Sequence, residues 1–199
     1  LFLQDRFQAF YQDKTYRFVL TGGLIGGSFA AIALYLPETV GDGFNVIHDW
    51  SNGHFTLKLL IIFLVLRFFT SIISFSSGAP GGVFSPLLAL GTLAGALFGN
   101  VAIDYFPGYE LETGMFAIAG MGALFAATVR APLTGAILVL ELTSSFNLIL
   151  PMLITCLGAT LVAQLLGGRP LYTVLLEKKL AKDQPQVAND TALAKQQQA

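Results

Sequence analysis

Long uncharged stretches alternate with short polar segments along the chain. The uncharged runs are Phe18–Leu36, Leu59–Leu66 continuing past Arg67 to Phe75, Leu87–Ile103, Gly114–Val129, Ala131–Leu140 and Phe146–Gly168. A helix perpendicular to a bilayer needs about 20 apolar residues, and only the first and last runs approach that length. The shorter runs, interrupted by Gly and Pro, predict tilted helices, some of which end part-way through the membrane. Broken helices of this kind are typical of transporters and channels.

Composition points to the same class of protein. Of the 199 residues, 54% are hydrophobic and 12% are charged, whereas a soluble domain carries about 25% charged residues. We therefore expect an all-α protein that crosses the membrane several times. The net charge of −1 offers no basic face for a nucleic acid. Cys156 is the only cysteine of the chain, which excludes an internal disulfide and predicts a buried structural thiol.

Small residues recur at four-residue spacing, which lets helix backbones approach closely in a membrane. These residues are Gly91, Gly95 and Gly99, then Ala119, Ala123 and Ala127, and in the first run the pairs Gly22/Gly26 and Gly23/Gly27. Dense helix packing explains the spacing, so none of these residues is a site candidate on spacing alone.

Polar segments flank the hydrophobic region. Residues 1–16 are amphipathic and contain no initiator Met or targeting segment, so we interpret them as the end of a preceding helix or a linker. Residues 17–180 are predicted to form the membrane domain, and residues 181–199 a polar cytoplasmic tail. We accordingly interpret the sequence as part of a longer protein.

Positive charge is distributed unevenly around the predicted spans. Before the first span lie Arg6, Lys14 and Arg17, and after the last lie Arg169, Lys178, Lys179 and Lys182. The segment Pro37–Phe55 carries acidic residues but no Lys or Arg. The positive-inside rule therefore predicts that both chain ends face the cytoplasm, and that Pro37–Phe55 and Pro107–Thr113 face outward.

The segment Gly82–Pro86 joins two of the runs and carries the first candidate site. Ser85 suits a helix N-cap and Pro86 suits the first helical turn, where its missing N–H costs nothing. The N–H groups of Val83 and Phe84 would then lie unpaired at the positive end of the next helix, where anions bind. Neutral dipoles hold an anion weakly enough for rapid release, as conduction requires. A simple turn between two spanning helices explains the local sequence equally well.

Tyr172 is the second candidate. It follows Gly167–Pro170, a segment that ends one helix and begins another. A tyrosine hydroxyl can donate to an anion without carrying a charge, but tyrosine at a membrane interface is commonly an anchor. Position alone favours the anchor. Arg67 and Arg130 are more typical of residues that pair with neighbouring groups or extend to the membrane surface than of anion ligands.

Enzyme and metal chemistry are disfavoured. His48 and His54 lie in one polar loop, where solvated histidines are far commoner than metal ligands. An intramembrane serine hydrolase using Ser76, Ser77 or Ser85 is the alternative from another class, and it would need a histidine base within reach. Both histidines are predicted to lie in an outward loop, and no Gly-x-Ser-x-Gly turn surrounds these serines. A purely structural membrane subunit would explain the packing glycines but neither candidate site.

A family resemblance strengthens both candidates. The segment Gly82–Pro86 matches the GxFxP motif of the CLC chloride channel and transporter family, and its flanks are similar to the family as well. Downstream, Ala119–Ala123, Arg130–Gly135 and Gly167–Tyr172 resemble the family's later helices in the same order. The likeness extends over residues 18–180. The motif alone is weakly specific, but the ordered set closely resembles the carboxy-terminal half of a bacterial member.

The resemblance implies a specific anion site. CLC proteins are homodimers in which each subunit has its own anion pathway, built from two inverted halves of tilted helices. Amides of the GxFxP loop help to hold chloride, a role that maps onto Val83 and Phe84, with the rest of Gly82–Pro86 supporting the loop. The tyrosine that begins the last helix donates its hydroxyl to the same ion, and this role maps onto Tyr172.

The resemblance also implies partners. The family's last long spanning helices contribute to the dimer interface, here Pro132–Leu142 and Leu148–Leu166, with Ile149 and Leu153 as expected contacts. The second anion loop and the gating and proton glutamates belong to the amino-terminal half, whose motifs have no counterpart in this sequence, so we expect that the chain cannot conduct alone. Similarity to bacterial members favours exchange of chloride for protons across the inner membrane, and a passive channel of the same architecture is the alternative. No cofactor or metal is implied.

Overall fold

The computed structural model describes residues 15–35, 56–76, 83–109, 111–177 and 179–181. Its α-helices are α1 (Thr15–Tyr35), α2 (Leu57–Ser76), α3 (Phe84–Tyr105), α4 (Thr113–Val129), α5 (Pro132–Thr143) and α6 (Ile149–Leu165), with a 3-10 turn at Phe146–Leu148. Residues 171–177 are also helical. All regular structure in the described ranges is helical, which confirms the predicted all-α class.

More helices reach spanning length than the uncharged runs predicted. Within the described residues, Leu57–Phe75, Phe84–Tyr105 and Phe146–Leu165 are long and apolar enough to cross a membrane. The expectation that only the first and last runs reach this length is therefore wrong. Charged residues do not end these helices: α2 continues through Arg67, whose side chain is buried, and α3 continues through Asp104. By contrast, α4 and α5 are short apolar helices.

The closest contact between helices joins α3 and α4. A Cβ atom added at Gly91 would lie 2.6 Å from the Gly120 carbonyl oxygen, and one added at Gly120 would lie 2.6 Å from the Gly95 Cα. No side chain fits between the two backbones here, as the glycine spacing predicted. Gly22, Gly23, Gly26 and Gly27 have no atom of the described residues near their added Cβ positions, so their predicted role in packing is not seen in this part of the chain.

The α4 helix lies at the centre of the fold. It packs against α3, α5 and α6 around one cluster of buried side chains, made of Leu88, Ile118, Met121, Phe125, Ala126, Ala136, Val139, Leu140, Met152 and Cys156. A second cluster joins α2 to α3 and α4, and it contains Leu60, Phe63, Leu93, Ala96 and Ala117. The Cys156 thiol is fully buried, as predicted. Large apolar side chains on the outer faces of α2, α5 and α6 stay exposed, as expected of surfaces that meet lipid or further protein.

The directions of α3, α4 and α6 determine which of their ends lie close together. Near one end of the pair, Phe84 of α3 contacts Phe125 of α4, and near the other end Gly99 lies beside Phe116, so the two helices are antiparallel. The α6 helix runs in the same direction as α4, because Cys156 approaches Gly122 while Thr160 contacts the residue that follows α4. The start of α3 and the ends of α4 and α6 therefore share one end of the bundle.

Gly120→Ala tests the backbone contact. The added methyl group would meet the Gly91 carbonyl oxygen at 2.5 Å and backbone atoms of Gly95, which cannot rotate away. We expect the free energy of unfolding to fall by about 2 kcal/mol, within the range of overpacked cores, measured as thermal unfolding of the purified protein. The matched control is Gly158→Ala, whose added methyl has no atom of the described residues within 4 Å and which should be nearly neutral. Equal unfolding midpoints for the two variants would contradict the packing described here.

Candidate functional site

The first candidate lies where α3 begins. Val83 is the N-cap, with backbone angles already near helical values (φ −80°, ψ −8°), and Phe84 is the first helical residue. The Leu87 N–H donates to the Val83 carbonyl at 3.2 Å. A helix of 22 residues therefore starts within the segment Gly82–Pro86, one residue before Ser85.

The predicted N-cap is corrected by this start. Ser85 is not the cap but the second residue of α3, and its side chain is exposed. Pro86 falls in the first helical turn, as predicted. Since Pro86 has no N–H and the first-turn amides need no intrahelical acceptor, the helix can begin two residues before it. Gly82, the expected loop support, lies outside the described residues.

The backbone at this helix start can donate to an anion. The N–H groups of Val83 and Phe84 precede the first i→i−4 bond and have no acceptor within α3. The first turn holds no acidic residue, so no carboxylate of that turn neutralises the positive end of the helix dipole. Val83 and Phe84 are both partly buried, which strengthens the field of these dipoles by reducing contact with solvent.

An aromatic contact positions the start of α3. The Phe84 ring meets the Phe125 ring edge-on, with centroids 5.3 Å apart and an interplanar angle of 78°. Phe125 belongs to the main core and is 5% exposed. Edge-to-face pairs of this kind are favoured by the ring quadrupoles. The side chain of Phe84 is thus fixed on α4, while its amide remains at the helix start.

The end of α4 is connected to the turn that precedes Tyr172. Arg130 follows α4 in the left-handed conformation (φ 67°, ψ 34°), and its N–H donates to the Ala126 carbonyl at 2.9 Å. Its guanidinium donates to the carbonyls of Thr160, at 2.6 Å, and Gly168, at 2.8 Å. Arg130 therefore pairs with neighbouring groups, one of the two roles expected of it from the sequence.

Tyr172 lies in the first turn of the last helical segment. Gly167 takes a positive φ of 71°, and the Gly168 N–H donates back to Ala163 at 3.0 Å, which ends α6. A new helix then starts, with the Val174 N–H donating to the Pro170 carbonyl at 3.2 Å. Tyr172 is 51% exposed, and no residue of the described chain bonds to its hydroxyl. The hydroxyl is free to donate to a ligand.

The two candidates are linked through α4. Phe84 rests on Phe125 in the last turns of this helix, and the turn before Tyr172 is bonded to Arg130 directly after it. Sequence reasoning named neither Phe125 nor Arg130 as part of the site. Arg130 follows a predicted apolar helix and lies two residues before Pro132, and this position could have predicted that it ends the helix.

A separate cavity offers no anion site. It has a volume of about 440 Å³ and lies between α3, α4 and the beginning of α6, far from the Phe84 end of the bundle. Its lining is almost entirely apolar, including Phe98, Met115 and Pro151. The Thr155 hydroxyl is already used, because it donates to the Pro151 carbonyl at 2.7 Å.

The expected dimer contacts differ in exposure. Ile149 is 50% exposed, whereas Leu153 is partly buried against the chain's own core. Exposed apolar side chains on α5 and α6 include Leu133, Ile137 and Ile154. The interface over Pro132–Leu142 and Leu148–Leu166 stays a prediction.

Most of the residues considered for enzyme or metal chemistry lie outside the part of the chain that the structure describes. His48, His54 and Ser77 lie outside the described residues, and Ser85 is exposed at the start of α3. Among the residues that the structure describes, no group of three or more His, Cys, Asp or Glu side chains could hold a metal ion.

Known proteins share this sequence and fold. The sequence model of the voltage-gated chloride channel family matches residues 1–164. A Klebsiella pneumoniae protein named H(+)/Cl(−) exchange transporter ClcA is 55% identical over 196 residues, which are 98% of this chain and 40% of the relative. The protein of the same name from Salmonella arizonae is 55% identical over 185 residues, which are 93% of this chain and 39% of the relative.

A solved structure has the same helical arrangement. The crystal structure of a slow cyanobacterial Cl−/H+ antiporter superposes with a TM-score of 0.79 at 37% identity, covering 92% of this chain and 42% of the other. The fold is that of an α-helical membrane protein, with the start of α3 and the ends of α4 and α6 at one end of the bundle. The chain belongs to the voltage-gated chloride channel family. It spans about 40% of the length of the relatives above, whose names are those of transporters and not of enzymes.

Phe125→Leu tests how the start of α3 is held. Leucine keeps the core apolar but removes the ring that Phe84 meets edge-on, a contact that contributes about 0.5–1.5 kcal/mol. Amides in the first turn of α3 should then exchange with deuterium about 2- to 10-fold faster, measured by mass spectrometry on the full-length protein.

The matched control removes the other aromatic contact of α3. Phe98→Leu breaks the tilted pair with Phe116, whose centroids lie 5.7 Å apart near the opposite end of the helix. This variant should leave exchange at Phe84 unchanged. Faster exchange there in both variants, or in neither, would show that Phe125 does not hold the helix start.

Proposed function

We propose that this chain is the carboxy-terminal part of a membrane transporter that exchanges chloride for protons. The observation that carries the proposal is the start of α3 in a chain of this family: Val83 and Phe84 are partly buried, their amides have no acceptor within α3, and its first turn holds no acidic residue. The names of the relatives support the choice of ions, since the chain is 55% identical to proteins named H(+)/Cl(−) exchange transporters.

In the proposed site, chloride loses water on entry and accepts hydrogen bonds from the Val83 and Phe84 amides and the Tyr172 hydroxyl. Gly82, Ser85 and Pro86 are assigned as support for the loop, and Pro86 fits the first turn of α3 because no N–H is needed there. None of these donors carries a full charge. Partial charges can replace hydration water without holding the ion as firmly as Lys or Arg would, so the ion can leave again.

The rest of the pathway is proposed to come from a preceding amino-terminal half. This chain spans about 40% of its relatives, and the family is built from two inverted halves. We assign residues 1–16 to the end of a preceding element, 17–180 to the second half of the membrane domain and 181–199 to a tail. The proton pathway and the gate are assigned to the missing half.

Membrane placement and assembly complete the proposal. The protein would lie in a bacterial inner membrane, with both ends of this chain in the cytoplasm, as the Lys and Arg distribution favours. Two copies would associate through α5 and α6, whose exposed apolar side chains include Ile149 and Ile154. Burial of such side chains against a second subunit fits the packing of helices in membranes.

A passive chloride channel of the same architecture is the second candidate. The family description names a voltage-gated channel. The identity of 55% to proteins named exchangers, together with the fold of a Cl−/H+ antiporter, favours exchange.

Coupled flux from liposomes tests the function. The full-length protein is reconstituted under a chloride gradient, and chloride efflux and external pH are recorded together. Exchange predicts that chloride efflux drives protons uphill. Efflux without proton movement would identify a channel, and absence of chloride, nitrate and fluoride movement would contradict anion transport.

Tyr172→Phe tests the hydroxyl as a ligand. Hydrogen bonds to charged groups contribute about 1.5–3 kcal/mol, so chloride affinity should fall about 10- to 100-fold while the fold is retained. Calorimetric titration of the full-length protein measures the change. Tyr109→Phe is the control, because Tyr109 is 72% exposed in the loop after α3, where its ring meets that of Phe106. Unchanged affinity in Tyr172→Phe would remove this residue from the site.

A further inference from the structure

The backbone of Arg130 has an unfavourable conformation. Its φ of 67° places it in the left-handed region at the end of α4, where glycine is the usual residue. A residue with a Cβ atom loses free energy in this region, and it persists where the surrounding contacts outweigh that loss. The contacts of the Arg130 side chain therefore offset the free-energy cost of its backbone conformation.

The side chain of Arg130 joins two carbonyl groups that are distant in sequence from α4. One guanidinium nitrogen donates to Thr160, within the last turns of α6, and another donates to Gly168, in the turn after α6. The guanidinium thus lies beside the carboxy-terminal part of α6, where the helix dipole favours a cation. The planar fork of arginine lets one side chain reach both oxygens.

The Gly168 turn determines where the last helical segment starts. Its N–H is bonded to Ala163 of α6, and its carbonyl is bonded to Arg130, so both sides of the residue are held. Only Arg169 and Pro170 separate it from the helical segment 171–177 that carries Tyr172. A shift of this turn relative to α4 would move Tyr172 relative to Phe84, whose ring rests on the same helix.

We propose that Arg130 is a positioning residue, which sets the place of the Tyr172 hydroxyl relative to the first turn of α3 and thereby the affinity for chloride. This inference rests on the proposed anion site. Arg130 acts through its two carbonyl bonds and not through attraction between its charge and the anion.

Chloride titration of single variants separates the bonds from the charge. In the full-length protein, Arg130→Gln and Arg130→Lys should both lose about 3- to 10-fold in chloride affinity, because lysine keeps the charge but cannot bridge two carbonyls with a rigid fork. Arg169→Gln is the matched control: it removes a neighbouring cation whose exposed ion pair, with Glu177, joins the turn to the segment 171–177 itself and not to α4. An exposed pair of this kind contributes little, so this variant should leave the affinity unchanged. Normal affinity in Arg130→Lys would overturn the proposal.

A double variant tests whether Arg130 acts through Tyr172. If it does, Arg130→Gln combined with Tyr172→Phe should bind chloride no more weakly than Tyr172→Phe alone. Additive losses would overturn the proposal. The same titrations distinguish its failure from that of the proposed site. If Tyr172→Phe binds chloride normally, the site fails; if Tyr172→Phe binds weakly and Arg130→Gln binds normally, the site stands and the positioning role fails.

Deuterium exchange measures, without chloride, how firmly the segment is held. Amides of residues 171–177 should exchange faster in Arg130→Gln than in the unsubstituted protein, and unchanged exchange would overturn the proposal. Arg130→Gly serves if Arg130→Gln does not fold, because glycine suits the left-handed backbone and removes only the side chain. The glycine variant should show the same loss of chloride affinity, and normal affinity would overturn the proposal.

Discussion

The direct contact of the α3 and α4 backbones is the constraint on which the rest of the structure depends. Gly91, Gly95 and Gly120 leave no side chain between the two helices. This contact sets the position of α3 along the axis of α4, and it thereby brings Phe84 against Phe125. Because α4 also packs on α5 and α6, a single short helix relates the start of α3 to the turn before Tyr172. The hydrophobic effect contributes little to helix association within a membrane, so close backbone packing of this kind supplies much of the stabilisation between helices.

The chemistry that follows from this arrangement is that of neutral donors. Backbone amides at the start of a long helix bring partial positive charge, and the absence of acidic residues in the first turn leaves it available to an anion. In a site made of neutral donors, each donor replaces only part of the stabilisation that hydration water gives to the anion. Such a site therefore depends on precise placement of several donors more than on charge. In the proposed site, aromatic packing of Phe84 on one side and the bridging bonds of Arg130 on the other would supply that placement.

Periodicity, composition and motif order predicted the helical membrane class, the close approach at Gly91 and Gly95, and the helix start near Phe84. Helix ends were less predictable. Ser85 carries the usual N-cap side chain, yet α3 begins earlier, because a proline in the first turn does not prevent a helix from starting before it. The bonds of Arg130 join residues 30 and 38 positions apart, and no local pattern encodes such a contact. The different exposure of Ile149 and Leu153 could not be predicted either, because α6 is apolar on all faces and only its packing decides which face lies inward.

The most direct measurement is to locate the anion. Crystals of the full-length protein grown with bromide would show the ion by its anomalous scattering, independently of any assay of transport. An anomalous peak within hydrogen-bonding distance of the Val83 and Phe84 amides and of the Tyr172 hydroxyl is the predicted result. Bromide bound elsewhere in the pathway, with the start of α3 and Tyr172 both unoccupied, would contradict an anion site at this end of α4.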